Sequence, residues 1–434
     1  MNPTVEWIDQ LFVHLKHGVV GLFPAALQPW VGILVSIGAI LATFPLLFAL
    51  TTVVERKGLA RMQNRPGPNR VGLPLTRIRL AGFGQFIADG IKSMTKEDIV
   101  PRQADRVVHY LAPFVLIVPV FLSLSVLPVG RNMAAVDLPE AGLLFFFAVG
   151  AATELSVFMA GWSSCNKYSL LGAMRALAQM LSYEIPLVVS ALTVVMLSGT
   201  LSLPQIVDRQ AGVQLGFLHG WNVFTPWGLA GFWLFLIAAC AEANRTPFDL
   251  PEAESELIAG YFTEYSGFKF ALFFLGEYLG LFAVGGLGIT LFLGGWLAPV
   301  TFLDFVPSWL WFFGKLAALM VFLIWLRGTL PRLRVDQLMN FAWRFLLPMS
   351  LLNLGVAVVW HYTADWNGFL RYGLGFVLLG IPYGLFSRSF TATYAPRTYR
   401  YAPDSRPAPS PSPSPSAGPP AMPRPAPAGG PSPA

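Results

Sequence analysis

Charge is scarce in this chain. Asp, Glu, Lys and Arg make up 12% of its 434 residues, against about a quarter in a soluble domain, too few to clothe a water-facing surface. Cysteine is scarcer still. Cys165 and Cys240 lie far apart with no Cys or His at ligand spacing, which excludes an iron–sulfur cluster or structural zinc site assembled from this chain alone. Its five histidines are scattered; His14 and His17, one helical turn apart, read as interfacial residues in preference to a metal pair. No G-x-G-x-x-G fingerprint and no Walker loop occurs, so no nucleotide-phosphate cradle is encoded. What is plentiful is apolar: 55% hydrophobic residues, with Gly 41, Phe 35 and Trp 13, and a mean hydropathy of +0.58. That is the composition of a packed helical bundle in lipid.

Windows of roughly 20 apolar residues predict nine spans, centred on 31–54, 108–129, 141–162, 170–198, 226–245, 268–296, 308–329, 341–361 and 367–387. An odd count puts the termini on opposite sides. Lys and Arg collect in short cytoplasmic loops, and with nine spans they divide 24 to 4, Lys315 lying inside a span. Eleven of them fall in the loop 55–107 alone. This asymmetry predicts an outside N-terminus and a cytoplasmic C-terminus, and it explains the net charge of +6 without nucleic acid. Residues 1–28 read as an N-terminal interfacial segment, 29–390 as the transmembrane helical domain, and 391–434 as a disordered tail. From Pro403 on that tail has 13 prolines in 32 residues and no apolar periodicity.

Against this background, acidic residues at membrane depth stand out. Glu154, Glu184, Glu242 and Glu277 fall inside or at the inner ends of apolar spans. Each costs about 2.5–3.5 kcal/mol on insertion scales unless it faces a wet or paired interior. Arg175, Arg245 and Lys315 are the nearby cations, and Arg245 follows Glu242 by three residues, so one or two ion pairs are plausible. They cannot obviously satisfy four carboxylates, which points to a proton or ion path. The loop after the fifth span adds Asp249, Glu252, Glu254, Glu256 and Glu264 within 16 residues, an acidic stretch expected to face the basic first loop, as an electrostatic contact or a proton entrance. In that first loop Pro66-Gly67-Pro68-Asn69 ends the preceding helix. Residues 83–98 then read as an in-plane amphipathic helix with Phe83, Phe86, Ile87, Ile91 and Met94 near one face.

Five blocks carry a resemblance: E-R-K-x-L-x-R-M-Q-x-R-x-G-P-N-R-V-G at 55–72, Q-x-x-A-D-x-I-K at 85–92, G-W-S-S-x-N-K-Y-S-L-L-G-A-x-R-A-x-A-Q-x-x-S-Y-E-I-P at 161–186, A-E-x-N-R-T-P-F-D-L-P-E-A-E-S-E-L at 241–257 and R-x-R-x-D-Q-L-M at 332–339. With these, residues 30–390 resemble the H-subunit family of bacterial proton-pumping NADH:quinone oxidoreductase, respiratory complex I, whose mitochondrial counterpart is the first NADH dehydrogenase subunit. The resemblance implies an all-α polytopic protein of the inner membrane that forms much of a quinone chamber against the hydrophilic arm. Carried over by motif, Glu55, Arg56, Asp89, Lys92, Phe262 and Arg332 would lie in or near that chamber. Glu154, Glu184, Glu242, Glu254, Glu256 and Glu277 would form a carboxylate path coupling quinone reduction to proton translocation. Quinone would be the substrate; NADH, FMN and iron–sulfur clusters would belong to partner subunits, with no metal here. The segment 73–84 is longer than the family's usual link, Cys165 stands where Asn is common, and Val335 replaces a common Tyr.

Two other readings stay open on sequence. A homologous membrane subunit of a ferredoxin-linked complex or membrane-bound hydrogenase would use similar carboxylates without lipid quinone. An independent secondary carrier would be expected to show internal repeats, and none is visible.

Overall fold

Long apolar runs in lipid must satisfy their own backbone, and helices do so within a single segment. In a computed structural model, residues 7–72, 82–214, 218–250 and 259–393 are described. Glu254, Glu256, most of the segment 73–84 and the proline-rich tail lie outside the described residues. Residues up to Phe386 form one compact unit; of the second, from Ser387 on, the described part is the closing turns of the last helix.

A short helix α1 (Leu11–Gly21) precedes α2 (Gln28–Met62) and the amphipathic α3 (Gln85–Thr95). Then come α4 (Arg106–Val126), α5 (Gly142–Gly150), α6 (Ala152–Ser163) and α7 (Lys167–Ser198). After α8 (Leu203–Arg209) and a pair of two-residue antiparallel strands (Val213–Gln214, Leu218–His219) come α9 (Pro226–Glu242), α10 (Gly267–Phe292) and α11 (Ser308–Thr329). The chain closes with α12 (Val335–Phe341), a π-helical turn, α13 (Leu347–Tyr362) and α14 (Gly368–Thr393). Among the described residues eight helical segments are long and apolar enough to cross a membrane, counting α5–α6 and α12–α13 as one each, and α9 is a shorter apolar helix. The chain is a polytopic all-α membrane protein. Its fifth predicted span ends at Glu242, three residues early, because the chain turns there.

Helix α2 has 35 residues, about 52 Å at 1.5 Å per residue, against a hydrocarbon core of about 30 Å. Its last turns, from Glu55 on, therefore project past the hydrocarbon. Asp9, ahead of α1, is buried and accepts a hydrogen bond from the Ser308 N–H at the start of α11 (2.6 Å), while Phe12 packs edge-on against Trp309. The predicted interfacial segment is thus tied to a span 300 residues away in the chain by one polar and one aromatic contact.

Inside lipid, close packing replaces hydrophobic exclusion as the force between helices, and small residues permit it. A Cβ on Gly172 of α7 would stand 2.7 Å from the Cα of Gly260, and one on Gly161 of α6 would stand 2.3 Å from the Ala173 Cβ. Here α6, α7 and the turn Gly260–Phe262 meet backbone to backbone, around a cluster of Ala112, Leu116, Ala160, Ala176, Tyr261 and Phe273. The larger core, with Phe235, Phe282, Phe292 and Phe312 fully buried, fills the space between α9, α10 and α11.

Candidate functional site

Two helix ends build the site, and both end alike. Helix α2 stops with Asn64 in the left-handed region (φ 53°), the Arg65 N–H reaching back to the Ala60 carbonyl. Helix α9 stops with Asn244 left-handed (φ 49°), the Arg245 N–H bonded to Cys240 O and the Asn244 N–H to Ala241 O. These are the bonds of a Schellman ending, with Asn where Gly is usual. The reversal at Asn244 turns Arg245 away from Glu242, although the two are three residues apart.

Arg245 instead joins Glu55. The buried Glu55 carboxylate receives the Arg327 guanidinium and the Tyr278 hydroxyl (2.5 Å), and Arg245 Nη1 stands 3.8 Å from it. The Arg245 guanidinium also lies 3.8 Å from the centre of the Tyr278 ring, a stacking that the planar, weakly hydrated guanidinium favours. Burial works against the charged form of Arg245, but Tyr278, Glu55 and Glu277 outweigh it and hold its pKa above the ordinary arginine value. The ion pair expected between Arg245 and Glu242 is therefore not made.

Next to this cluster lies a cavity between α4, α5, α6, α7, α9 and α10. Glu184, Glu242, Glu277, Asn244, Thr153, Ser123 and Tyr261 stand among its otherwise apolar lining. It offers about 70 Å³ to water, room for several molecules at roughly 10–15 Å³ each. Glu277 accepts a hydrogen bond from the Tyr261 hydroxyl (3.0 Å). Glu242 Oε2 is sealed from bulk solvent and has no hydrogen-bond partner among the described residues, an unmet demand that water in the cavity can satisfy. Glu242 lies within electrostatic reach of Glu184 and Glu154, and Arg245 within reach of Glu277. Glu184, Glu242 and Glu277 thus share one cavity, with Glu154 within electrostatic reach of Glu242 on one side and Arg245, beside Glu55, within reach of Glu277 on the other.

The carbonyls at the α9 turn are held by a residue that sequence reasoning passed over. Gln179 of α7 donates through Nε2 to the carbonyls of Ala241 and Phe248, each at 2.6 Å, fixing the chain before and after the turn. Tyr278 and Arg327 were likewise unforeseen. The only signal was Gln179's place inside the 161–186 block; nothing in spacing links Glu55 to residues more than 200 positions later.

The other predicted chamber residues fall into separate contacts. Arg56 pairs with Asp89 of α3, which also accepts from Gln85 (2.9 Å), and Lys57 stands over the Phe83 ring. Lys92 is exposed on α3, beside exposed Ile91 and Met94, whereas Phe86 and Ile87 are half-buried. Phe262 is buried among Tyr261, Phe270, Phe273 and Phe274. Arg332 donates to the buried Asp249 at 2.8 Å. Of the acidic stretch, Asp249 meets Arg332 and Glu264 accepts from Asn166 at 2.7 Å; Glu252, Glu254 and Glu256 lie outside the described residues. Lys315, weighed as a partner for the glutamates, serves the far end of α10. Its ammonium donates to the carbonyls of Leu293, Gly295 and Leu297 at 2.6 to 2.9 Å and lies over the Trp221 ring, the favourable end of the helix dipole for a cation.

The family model described as NADH dehydrogenase matches residues 35–358. The H subunit of the NADH-quinone oxidoreductase of Dehalococcoides mccartyi strain CBDB1 is 50% identical over 326 residues, 75% of this chain and 86% of that protein. The corresponding protein of Geobacillus kaustophilus strain HTA426 is 48% identical over 325 residues, 75% of this chain and 92% of its own length. That of Dehalococcoides mccartyi strain ATCC BAA-2266 is 45% identical over 366 residues, 83% of this chain and 96% of its own. By the family match and these identities, the chain belongs to the NADH dehydrogenase family, in which its relatives are H subunits of NADH-quinone oxidoreductases.

Proposed function

We propose that this chain is the membrane subunit of a proton-pumping NADH:quinone oxidoreductase that forms much of the quinone chamber and carries a carboxylate path from it toward the proton-translocating subunits. The observation that carries this reading is the gathering of Glu277, Glu242 and Glu184 around one cavity, with Arg245 and Glu55 beside Glu277 and with Glu154 beside Glu242 and Glu184. Four acidic groups at membrane depth, three of them (Glu154, Glu184 and Glu242) with no cation partner among the described residues, are costly unless water or protons use them. Reduction of quinone near Glu55, Arg56, Asp89, Lys92, Phe262 and Arg332 changes local charge. Arg245, between Glu55 and Glu277, is placed to feel that change, and the cavity carboxyls answer it by taking up or releasing protons. Glu254 and Glu256 belong to the same proposed path by motif.

In this reading the hydrophilic-arm subunits close the chamber and hold NADH, FMN and the iron–sulfur clusters, and neighbouring membrane subunits receive the protons. The chain sits in the bacterial cytoplasmic membrane with its N-terminus outside and its C-terminus in the cytoplasm, as the division of Lys and Arg implies. Helix α1, with Leu15 and Val19 exposed, lies at the outer interface. The decisive test is Glu242→Gln in the assembled complex. Quinone reduction is expected to fall to near zero while NADH oxidation by an artificial acceptor continues; wild-type turnover and pumping would remove Glu242 from the path.

A further inference from the structure

Between α2 and α11 the surface carries an apolar groove of about 490 Å³ that nothing in this chain covers among the described residues. Val54, Gly58 and Met62 form one wall, and Val321, Phe322 and Trp325 the other. Val54, Met62, Val321 and Trp325 are between 40% and 54% exposed. The absent side chain at residue 58 leaves room at the floor: a Cβ there would stand 3.3 Å from Ile324 Cγ2. Immediately beside it, Lys57, Arg61 and Arg65 line a second, basic hollow with Asn64 and Asn69. On a helix Arg61 lies about 4.5 Å along the axis and about 60° around it from Gly58. Apolar groove and basic hollow are neighbours on the same turns of α2.

These turns sit at the membrane boundary. Charged residues begin at Glu55 on α2, and on α11 the first charged residue after Lys315 is Arg327; Trp325 occupies the level where indole rings favour the headgroup region. An occupant of the groove must therefore be apolar toward Val54 and Val321 and negatively charged toward Arg61. A partner's transmembrane helix would run its apolar face on past Met62 against the two arginines. An amphiphile with an acidic head matches both halves.

We propose that the groove binds one acyl chain of an anionic glycerophospholipid whose phosphate is held by Arg61 and Arg65. The site needs only the membrane-spanning fold and stands apart from the quinone reading. Removing both arginines weakens the headgroup attraction, each contributing about fivefold near an acidic interface, so retention should drop roughly 30-fold. The experiment is native mass spectrometry of the full-length chain released from nanodiscs of phosphatidylcholine and phosphatidylglycerol. The chain is expected to keep phosphatidylglycerol over phosphatidylcholine. The double variant Arg61→Gln/Arg65→Gln should lose it, and Val321→Trp, which fills the groove and leaves the arginines intact, should lose it too. Circular dichroism checks that both variants keep their helices. Equal retention of the two lipids, or undiminished retention in the double variant, would overturn the proposal. As a measurement independent of variant folding, a photoreactive diazirine residue at position 321 should label phospholipid in native membranes; labelling of polypeptide alone would assign the groove to a protein partner and refute the lipid site.

Discussion

Arg245 faces Glu55 at 3.8 Å and stands over the Tyr278 ring, turned away from Glu242, its neighbour by three residues. The left-handed Asn244 between them makes the difference. One guanidinium thereby connects the end of the first span to the wall of the carboxylate cavity, and its shape matters as much as its charge.

Arg245→Lys keeps the charge but loses the stacked, planar fork. A cation–π contact is worth about 0.5–2 kcal/mol, so quinone reduction should fall by roughly two- to thirtyfold, while oxidation of NADH by an artificial acceptor stays at the wild-type level. Full quinone reductase activity in this variant would show that Arg245 serves only as a fixed cation.

Gln179→Leu strips the Ala241 and Phe248 carbonyls of a shared donor. Leaving buried acceptors unpaired costs about 1–3 kcal/mol each. Thermal unfolding of the purified chain should shift clearly downward. Because the same turn carries Glu242, quinone reduction by the surviving complexes should fall as well.

Lys315→Met provides the contrast. It removes the cap on three carbonyls at the far end of α10 and is expected to lower stability by a few kcal/mol, about 1–3 per carbonyl left bare, without slowing quinone reduction per assembled complex. A variant that assembles normally yet turns over slowly would place Lys315 on the coupling route.

Gly172→Val tests the backbone contact with Gly260. The new Cβ would approach Gly260 Cα to 2.7 Å, and overpacking of this kind costs about 1–3 kcal/mol. Gly90→Ala on α3, with nothing within 4 Å of the new Cβ, should be neutral or gain about 0.5–1 kcal/mol from helix propensity. Melting curves of the two variants measured side by side decide the matter.

The spans were legible because each is a run of apolar residues whose length follows directly from bilayer thickness. The long ones lie close to where hydropathy put them, and α2 ends at Met62, just short of the predicted breaker at Pro66. The four deep glutamates were legible because charge in an apolar run is conspicuous. Their partners were not. Sequence spacing suggested Arg245 for Glu242 because residues three apart share a helix face, but the helix stops between them. Lys315 looked available to the carboxylates because it lies in a span, and depth along the membrane is invisible when helices are read one at a time. Tyr278 and Arg327 came to light only when three helices were brought together around Glu55.

The tie between Glu55 and Arg327 spans 272 positions of the chain, and it bears on how the protein is made. At about 5–20 residues per second, Glu55 is synthesised on the order of tens of seconds before Arg327 exists, with Arg245 arriving in between. For that time the first span carries an acidic group without its partners, so it cannot settle into its final position while the later spans are still emerging. The Asp9 contact with Ser308 joins the same two regions at the other end of α11. Translation thus produces the first span early and finishes it late, and a chain halted before α11 would lack a segment that holds its beginning at both ends.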